Sequence, residues 1–150
     1  MSTAVPADQV PLSQPLPGAT IGQAVTRFFK KYATFTGRAS RSEYWWWVLV
    51  NAIISGVLYG IAYGLGGFGA VSAETGAMTI GPGGWLGITL YSVWGLAVII
   101  PTLALIWRRL HDTNRSGAFF FLVFIPLIGG IILLIFVLLP SDPAGARFDQ

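Results

Sequence analysis

Fifteen charged residues are distributed along this chain so that none falls within 44–73, 75–107 or 116–141. These charge-free tracts hold 30, 33 and 26 residues, and each exceeds the about 20 apolar residues that carry a helix across a bilayer core. Hydrocarbon offers no partner to a bare peptide group, so tracts of this kind must satisfy their own backbone as helices. Composition agrees: the chain is 54% hydrophobic and only 10% charged, with a mean hydropathy of +0.68, whereas soluble domains carry roughly a quarter charged residues. The sequence therefore predicts an all-α integral membrane protein with little mass outside the bilayer.

Several function classes fall away at once. There is no cysteine, which removes disulfides, cysteine-ligated metal centres and thiol catalysis. There is one histidine, His111, so a multi-histidine metal site would need several copies of the chain. No metal and no cofactor is expected. A pI near 9.6 would suggest nucleic acid in a soluble protein, but here the cations flank apolar tracts and no free basic domain exists, so no nucleic-acid partner is expected. Residues 1–20 contain no Lys or Arg and no apolar run of signal-peptide length, so the first apolar tract is expected to act as its own membrane signal.

Along the chain, Pro6, Pro11, Pro15 and Pro17 crowd residues 1–20, which reads as a disordered tail; residues 21–150 read as a single polytopic membrane domain. Ile21, Val25, Phe28, Tyr32 and Phe35 recur at spacings of 4, 3, 4 and 3, within roughly an 80° arc of a helix. With Arg27, Lys30 and Lys31 on the other side, the spacing predicts an interfacial amphipathic helix over about 21–36. A helix capping the bundle through the same stripe is the alternative. Three transmembrane helices follow, over about 44–66, 85–107 and 118–139. The first opens on Tyr44-Trp45-Trp46-Trp47, an aromatic belt for the membrane–water interface.

Lys and Arg counted beside each span set the orientation. Five precede the first span, none lies in the first loop, three (Arg108, Arg109, Arg115) lie in the second and one in the tail. This places the N-terminus in the cytoplasm, the second loop with it, and the C-terminus outside. Pro126 with Gly129-Gly130 offers the third tract a way to dip in and return, but 22 residues are too few for two full crossings.

Two motifs carry more than periodicity. One is Phe35-Thr-Gly37-Arg38-Ala-Ser-Arg41-Ser-Glu43-Tyr44-Trp45-Trp46-Trp47, followed by Asn51; the other is Arg108-Arg109-Leu110-His111-Asp112-Thr113-Asn114-Arg115-Ser116-Gly117, followed by Ile125-Pro126. Together, in this order and each beside a span, they resemble the bacterial inner-membrane family known as domain-of-unknown-function family 805, over roughly 25–148. The chain departs from that pattern at Ala118, where an aromatic usually stands, and in its tail, Ala146-Arg147-Phe148-Asp149. The resemblance implies a small polytopic protein of the bacterial cytoplasmic membrane and supplies no activity.

Both motifs lie on the cytoplasmic face by the charge count. Arg38, Arg41, Arg108, Arg109 and Arg115 form a candidate site for anionic headgroups, since guanidinium grips phosphate bidentately. The competing reading pairs Glu43 and Asp112 with some of them in structural ion pairs. His111 is a candidate polar, pH-sensitive hinge rather than a catalytic base. Ala52, Gly56, Gly60 and Gly64, at fourth-residue spacing, predict close helix packing, either within the chain or with a second copy. No ionisable group lies deep within a span, which disfavours a coupled transporter. The reading that follows is a non-enzymatic scaffold or regulatory protein binding anionic membrane lipids or a larger membrane protein. A homo-oligomeric pore or transport component is the first alternative, and a headgroup-modifying membrane enzyme the second.

Overall fold

The computed structural model describes residues 9–66, 69–71 and 73–149. The chain forms helix α1 (Ile21–Lys30), helix α2 (Arg41–Gly64), strands β1 (Ala70–Val71) and β2 (Met78–Thr79), helix α3 (Pro82–Asp112), a 3-10 segment (Gly117–Phe124), helix α4 (Gly129–Leu138) and a final 3-10 segment (Pro143–Phe148). The strands pair antiparallel, Ala70 opposite Thr79 and Val71 opposite Met78.

Helices α2 and α3 are long and apolar enough to cross a membrane. Their 24 and 31 residues reach about 36 and 46 Å at the helical rise. Ile53, Val57, Val93 and Leu96 on them stand more than half exposed, an arrangement suited to lipid and costly in water. Helix α2 opens on a capping box: Glu43 N–H donates to Ser40 Oγ at 3.2 Å and Ser40 N–H to Glu43 Oε2 at 2.8 Å, satisfying two of the helix's orphan donors. Helix α3 runs through Pro101 without ending. It closes at Asp112 in a Schellman turn, in which Asn114 takes a left-handed φ of 57° and Arg115 N–H and Asn114 N–H donate to Leu110 O and His111 O.

Two expected elements differ. The helix expected over 118–139 is not one element but two, the 3-10 segment and the ten-residue α4. Pro126 lacks the N–H that would continue a helix, and Leu127 adopts φ 66°, which reverses the chain. The helix expected over 21–36 ends at Lys30; Lys31, at φ −105° and ψ 35°, has left the helical basin.

The chain divides into two units, one joining residues up to Val48 with those from Ile100 onward, the other Leu49–Ile99. In the second, Trp94 Nε1 donates to Asn51 Oδ1 at 3.1 Å, the Tyr59 and Tyr91 rings meet edge to face at 6.5 Å, and Gly87 lies so close to Ala62 that a β-carbon there would overlap its backbone. The small-residue contact in this unit therefore runs through Ala62 and Gly87. The expected stripe makes no such contact among the described residues: Ala52 is exposed, and a β-carbon added at Gly56, Gly60 or Gly64 meets nothing within 4 Å.

Candidate functional site

The polar residues of the first unit gather around two buried carboxylates. Glu43, 2% exposed, accepts from Arg27 Nε at 2.6 Å and from the backbone N–H of Leu16 at 3.0 Å, with Lys31 Nζ at 3.9 Å. The Arg27 guanidinium also donates to the carbonyls of Val10, Pro11, Leu12 and Gln14. Residues 9–20, expected to be disordered, are thus wound around a buried cation, and Leu16 and Ala19 are buried with it. The proline-rich segment buries little apolar surface; its carbonyls find a guanidinium instead. Residues 1–8 of that expected tail lie outside the described residues.

The same carboxylate explains how α1 sits. Its buried residues are Ala24, Arg27 and Phe28, and Phe28 stacks on Trp47 with ring centroids 3.4 Å apart. Ile21, Phe29, Tyr32 and Phe35 are exposed. The expected division, an aromatic stripe against basic residues, is therefore crossed: Glu43 draws Arg27 and Lys31 inward beside Phe28. Burial pushes the Lys31 ammonium down from 10.5 to about 7, with Glu43 pulling in the opposite direction.

The second carboxylate, Asp112, is fully buried. It pairs with Arg109, accepts from Ser141 Oγ at 2.6 Å and lies 3.9 Å from Arg38 Nη1. Arg38 in turn clasps Asp149 through two donors, at 2.7 and 2.6 Å, and Asp149 holds the guanidinium more firmly protonated than usual. Arg109 also donates to the carbonyls of Val137, Ala39 and Leu139, so it fastens the end of α4 to the end of α3. His111 Nδ1–H donates to Gly37 O at 3.0 Å, and its ring stacks on Phe148 at 4.0 Å and 4°. Gly37, at φ 78°, donates its N–H to Phe148 O at 2.7 Å, and a β-carbon there would sit 2.6 Å from Ser13 O. Gly117 lies against the Trp107 indole with no room for a β-carbon. The motif glycines are thus points of close approach.

Of the five arginines expected at a headgroup site, Arg38 and Arg109 converge on Asp112. Arg108 is buried elsewhere, donating from Nε to Ala104 O at 3.0 Å. Arg115 donates to Thr113 O and lies over the Phe136 ring at 4.3 Å. Arg41 alone of the five is exposed. They do not form one open anion pocket. Among the described residues, no cluster of three or more His, Asp or Glu could hold a metal ion.

Three participants, Ser141, Phe148 and Asp149, carry no site expectation from the sequence, and Arg27 is expected on the basic side of its helix rather than in this core. The Ser40-x-x-Glu43 spacing is a readable capping-box signature, and it locates Glu43. Nothing local announces that Asp149 belongs to Arg38, 111 positions away.

Comparison with known proteins places this arrangement in context. Residues 32–150 match the family described as protein of unknown function DUF805. The chain is 40% identical over 121 residues to the inner membrane protein YhaI of Escherichia coli K12, covering 81% of this chain and 87% of that protein. It is 35% identical over 122 residues to the inner membrane protein YhaH of the same organism, covering 81% and 89%. No solved structure matches.

Proposed function

Because the chain belongs to the DUF805 family of small inner-membrane proteins of unknown function, we propose that it acts as a membrane scaffold with no chemistry of its own. Its polar face is locked internally, and the basic residues left outside that lock meet anionic headgroups at the cytoplasmic surface. The observation that carries this reading is how the cations divide. Arg27, Lys31, Arg108 and Arg109 are buried, whereas Lys30 and Arg41 are exposed. Phe29, Tyr32, Phe35 and Trp45, in the same part of the chain, are also exposed. Cations mixed with exposed aromatics suit the headgroup layer, where rings sit at the acyl boundary and ammonium or guanidinium groups meet phosphate.

Each cation held near an anionic surface is worth about 1 kcal/mol, so Lys30 and Arg41 together supply about 2 kcal/mol, a roughly 30-fold preference. The test is native mass spectrometry of the protein from nanodiscs of mixed phosphatidylglycerol and phosphatidylcholine. The wild type is expected to retain phosphatidylglycerol selectively, and Lys30→Gln with Arg41→Gln to lose that selectivity while remaining folded. Equal retention of both lipids by the wild type would sink the proposal.

A second reading, assembly of several copies, draws on one observation: the Gly56/Gly60/Gly64 face is open. Such a face lets a second helix approach to backbone contact. The same mass spectra report copy number, and a strictly monomeric protein would remove it.

A further inference from the structure

We infer that the third apolar tract does not cross the bilayer but enters one leaflet and returns, so that the tail lies on the same side as the segment preceding α2. The surface concerned is the hairpin 117–138, and its partner is the acyl layer of that leaflet.

Length is the first argument. The 3-10 limb of eight residues reaches about 16 Å at the 3-10 rise, and the ten-residue α4 reaches about 15 Å. A hydrocarbon core is about 30 Å thick, so each limb matches a single leaflet and neither spans the membrane. Contact is the second. Phe119, early in the first limb, meets Phe136, late in the second, edge to face at 5.7 Å, so the limbs run antiparallel beside one another.

Attachment is the third, and it fixes both ends. The tract begins where Gly117 packs on Trp107 and ends where the Val137 and Leu139 carbonyls accept from Arg109. Trp107 and Arg109 belong to the last turns of one helix, α3. Beyond the tract, Asp142 N–H donates to Asp112 O at 2.8 Å, Ser141 reaches Asp112, Phe148 stacks on His111 and Asp149 clasps Arg38. A tail on the opposite face would be separated from these partners by the full bilayer. The C-terminus assigned outside by counting Lys and Arg is therefore returned to the side of Arg38.

Surface chemistry identifies the occupant. The tract 116–141 is free of charge. Exposure peaks at its turn, where Leu127 is 93% exposed, Phe124 74% and Ile128 59%. A free apolar tip of this kind is costly in water and suited to acyl chains. Turn backbone at such depth is tolerated only where its polar groups are satisfied. Here Ile125 N–H donates to Leu122 O, Ile128 N–H to Pro126 O and Gly129 N–H to Ile125 O.

The absence of cysteine permits a direct test. Ala33→Cys, Ala77→Cys and Ala146→Cys place single thiols before α2, in the α2–α3 connection and in the tail, all at exposed positions. Intact and permeabilised cells are treated with a membrane-impermeant maleimide. Position 146 is expected to behave as position 33 and opposite to position 77, whichever way the protein faces. Labelling of 146 together with 77 overturns the inference. A second measurement reads depth independently: nitroxides at 121, 127 and 134 in nanodiscs should show oxygen accessibility highest at 127. A nitroxide pair at 119 and 136 separates hairpin from span, because the Phe119 and Phe136 rings meet at 5.7 Å in the hairpin whereas one continuous helix would hold these positions about 25 Å apart; that longer separation, or a label at 127 shielded from oxygen by protein, overturns it.

Discussion

Replacing Glu43 with glutamine tests the charged core at its most loaded point. The side chain keeps its shape but loses the charge that faces Arg27 at 2.6 Å and Lys31 at 3.9 Å. With side-chain exposures of 8% and 3% for Arg27 and Glu43, solvent does not screen the pair as it would a surface bridge worth about 0–1 kcal/mol. Removing one partner of a buried pair costs about 3–5 kcal/mol, because the other is left uncompensated. Two features point to the lower end. Arg27 keeps its four carbonyl acceptors, and Lys31, already held near 7, can give up its proton. The expected loss is about 3 kcal/mol, and most of it falls on the docking of residues 9–31. Limited trypsin digestion in nanodiscs reads this locally, since cleavage follows the population of the opened segment when closing is fast. Glu43→Gln should accelerate cleavage after Arg27 roughly 100-fold, while Glu74→Gln, at an exposed loop position, leaves it unchanged. Equal rates in the two variants would refute the argument that Glu43 holds this segment.

Three further outcomes follow from single residues. Lys31 binds its proton only below about 7 when folded but up to 10.5 when unfolded; the unfolded chain therefore binds more protons between these values, and stability should rise with pH across that window. Lys31→Met should flatten the rise in thermal unfolding temperature between pH 7 and 10, and an unchanged slope contradicts the burial argument. Gly37→Ala combines a left-handed backbone with a β-carbon 2.6 Å from Ser13 O, and should cost about 1–3 kcal/mol, read as a lowered unfolding temperature; a neutral result means the loop does not hold this conformation. Gly60→Leu should leave monomer stability within about 0.5 kcal/mol, since its β-carbon position is open, and any assembly of copies should weaken. A large loss of monomer stability would place an unrecognised helix against that face.

The long elements were legible because hydrocarbon leaves the backbone little choice. The spans expected over 44–66 and 85–107 are α2 and α3, Arg41–Gly64 and Pro82–Asp112, with ends displaced by only a few residues. The third tract has the composition of the other two and so predicts one helix; what divides it is Pro126, the left-handed Leu127 and the fastening of its far end by Arg109. For α1, the apolar period predicts the face that leaves the protein. A buried carboxylate in the motif that follows, Glu43, reversed the position of Arg27 and Lys31, and amphipathic spacing holds no record of that. The arginine motifs announced phosphate by residue type alone, yet Arg38 and Arg109 meet Asp112, Asp149 and the carbonyls of Val137 and Leu139, while Arg108 and Arg115 meet the carbonyls of Ala104 and Thr113. Contacts such as Arg38 with Asp149 are set by the return of the chain, which no local window contains.

The tail docks against the two motifs through Phe148 and Asp149, and His111 reports on that directly. As the single histidine, it gives one imidazole signal set in a nanodisc sample labelled only at histidine and phenylalanine. With Phe148 stacked at 4.0 Å and Nδ1–H bonded to Gly37 O, the predicted spectrum has upfield-shifted ring protons, cross-peaks to Phe148 and a slowly exchanging Nδ1 proton. Phe148→Leu should abolish the shift and the cross-peaks. Sharp imidazole resonances at free-histidine positions, with fast exchange and no contact to Phe148, would contradict it.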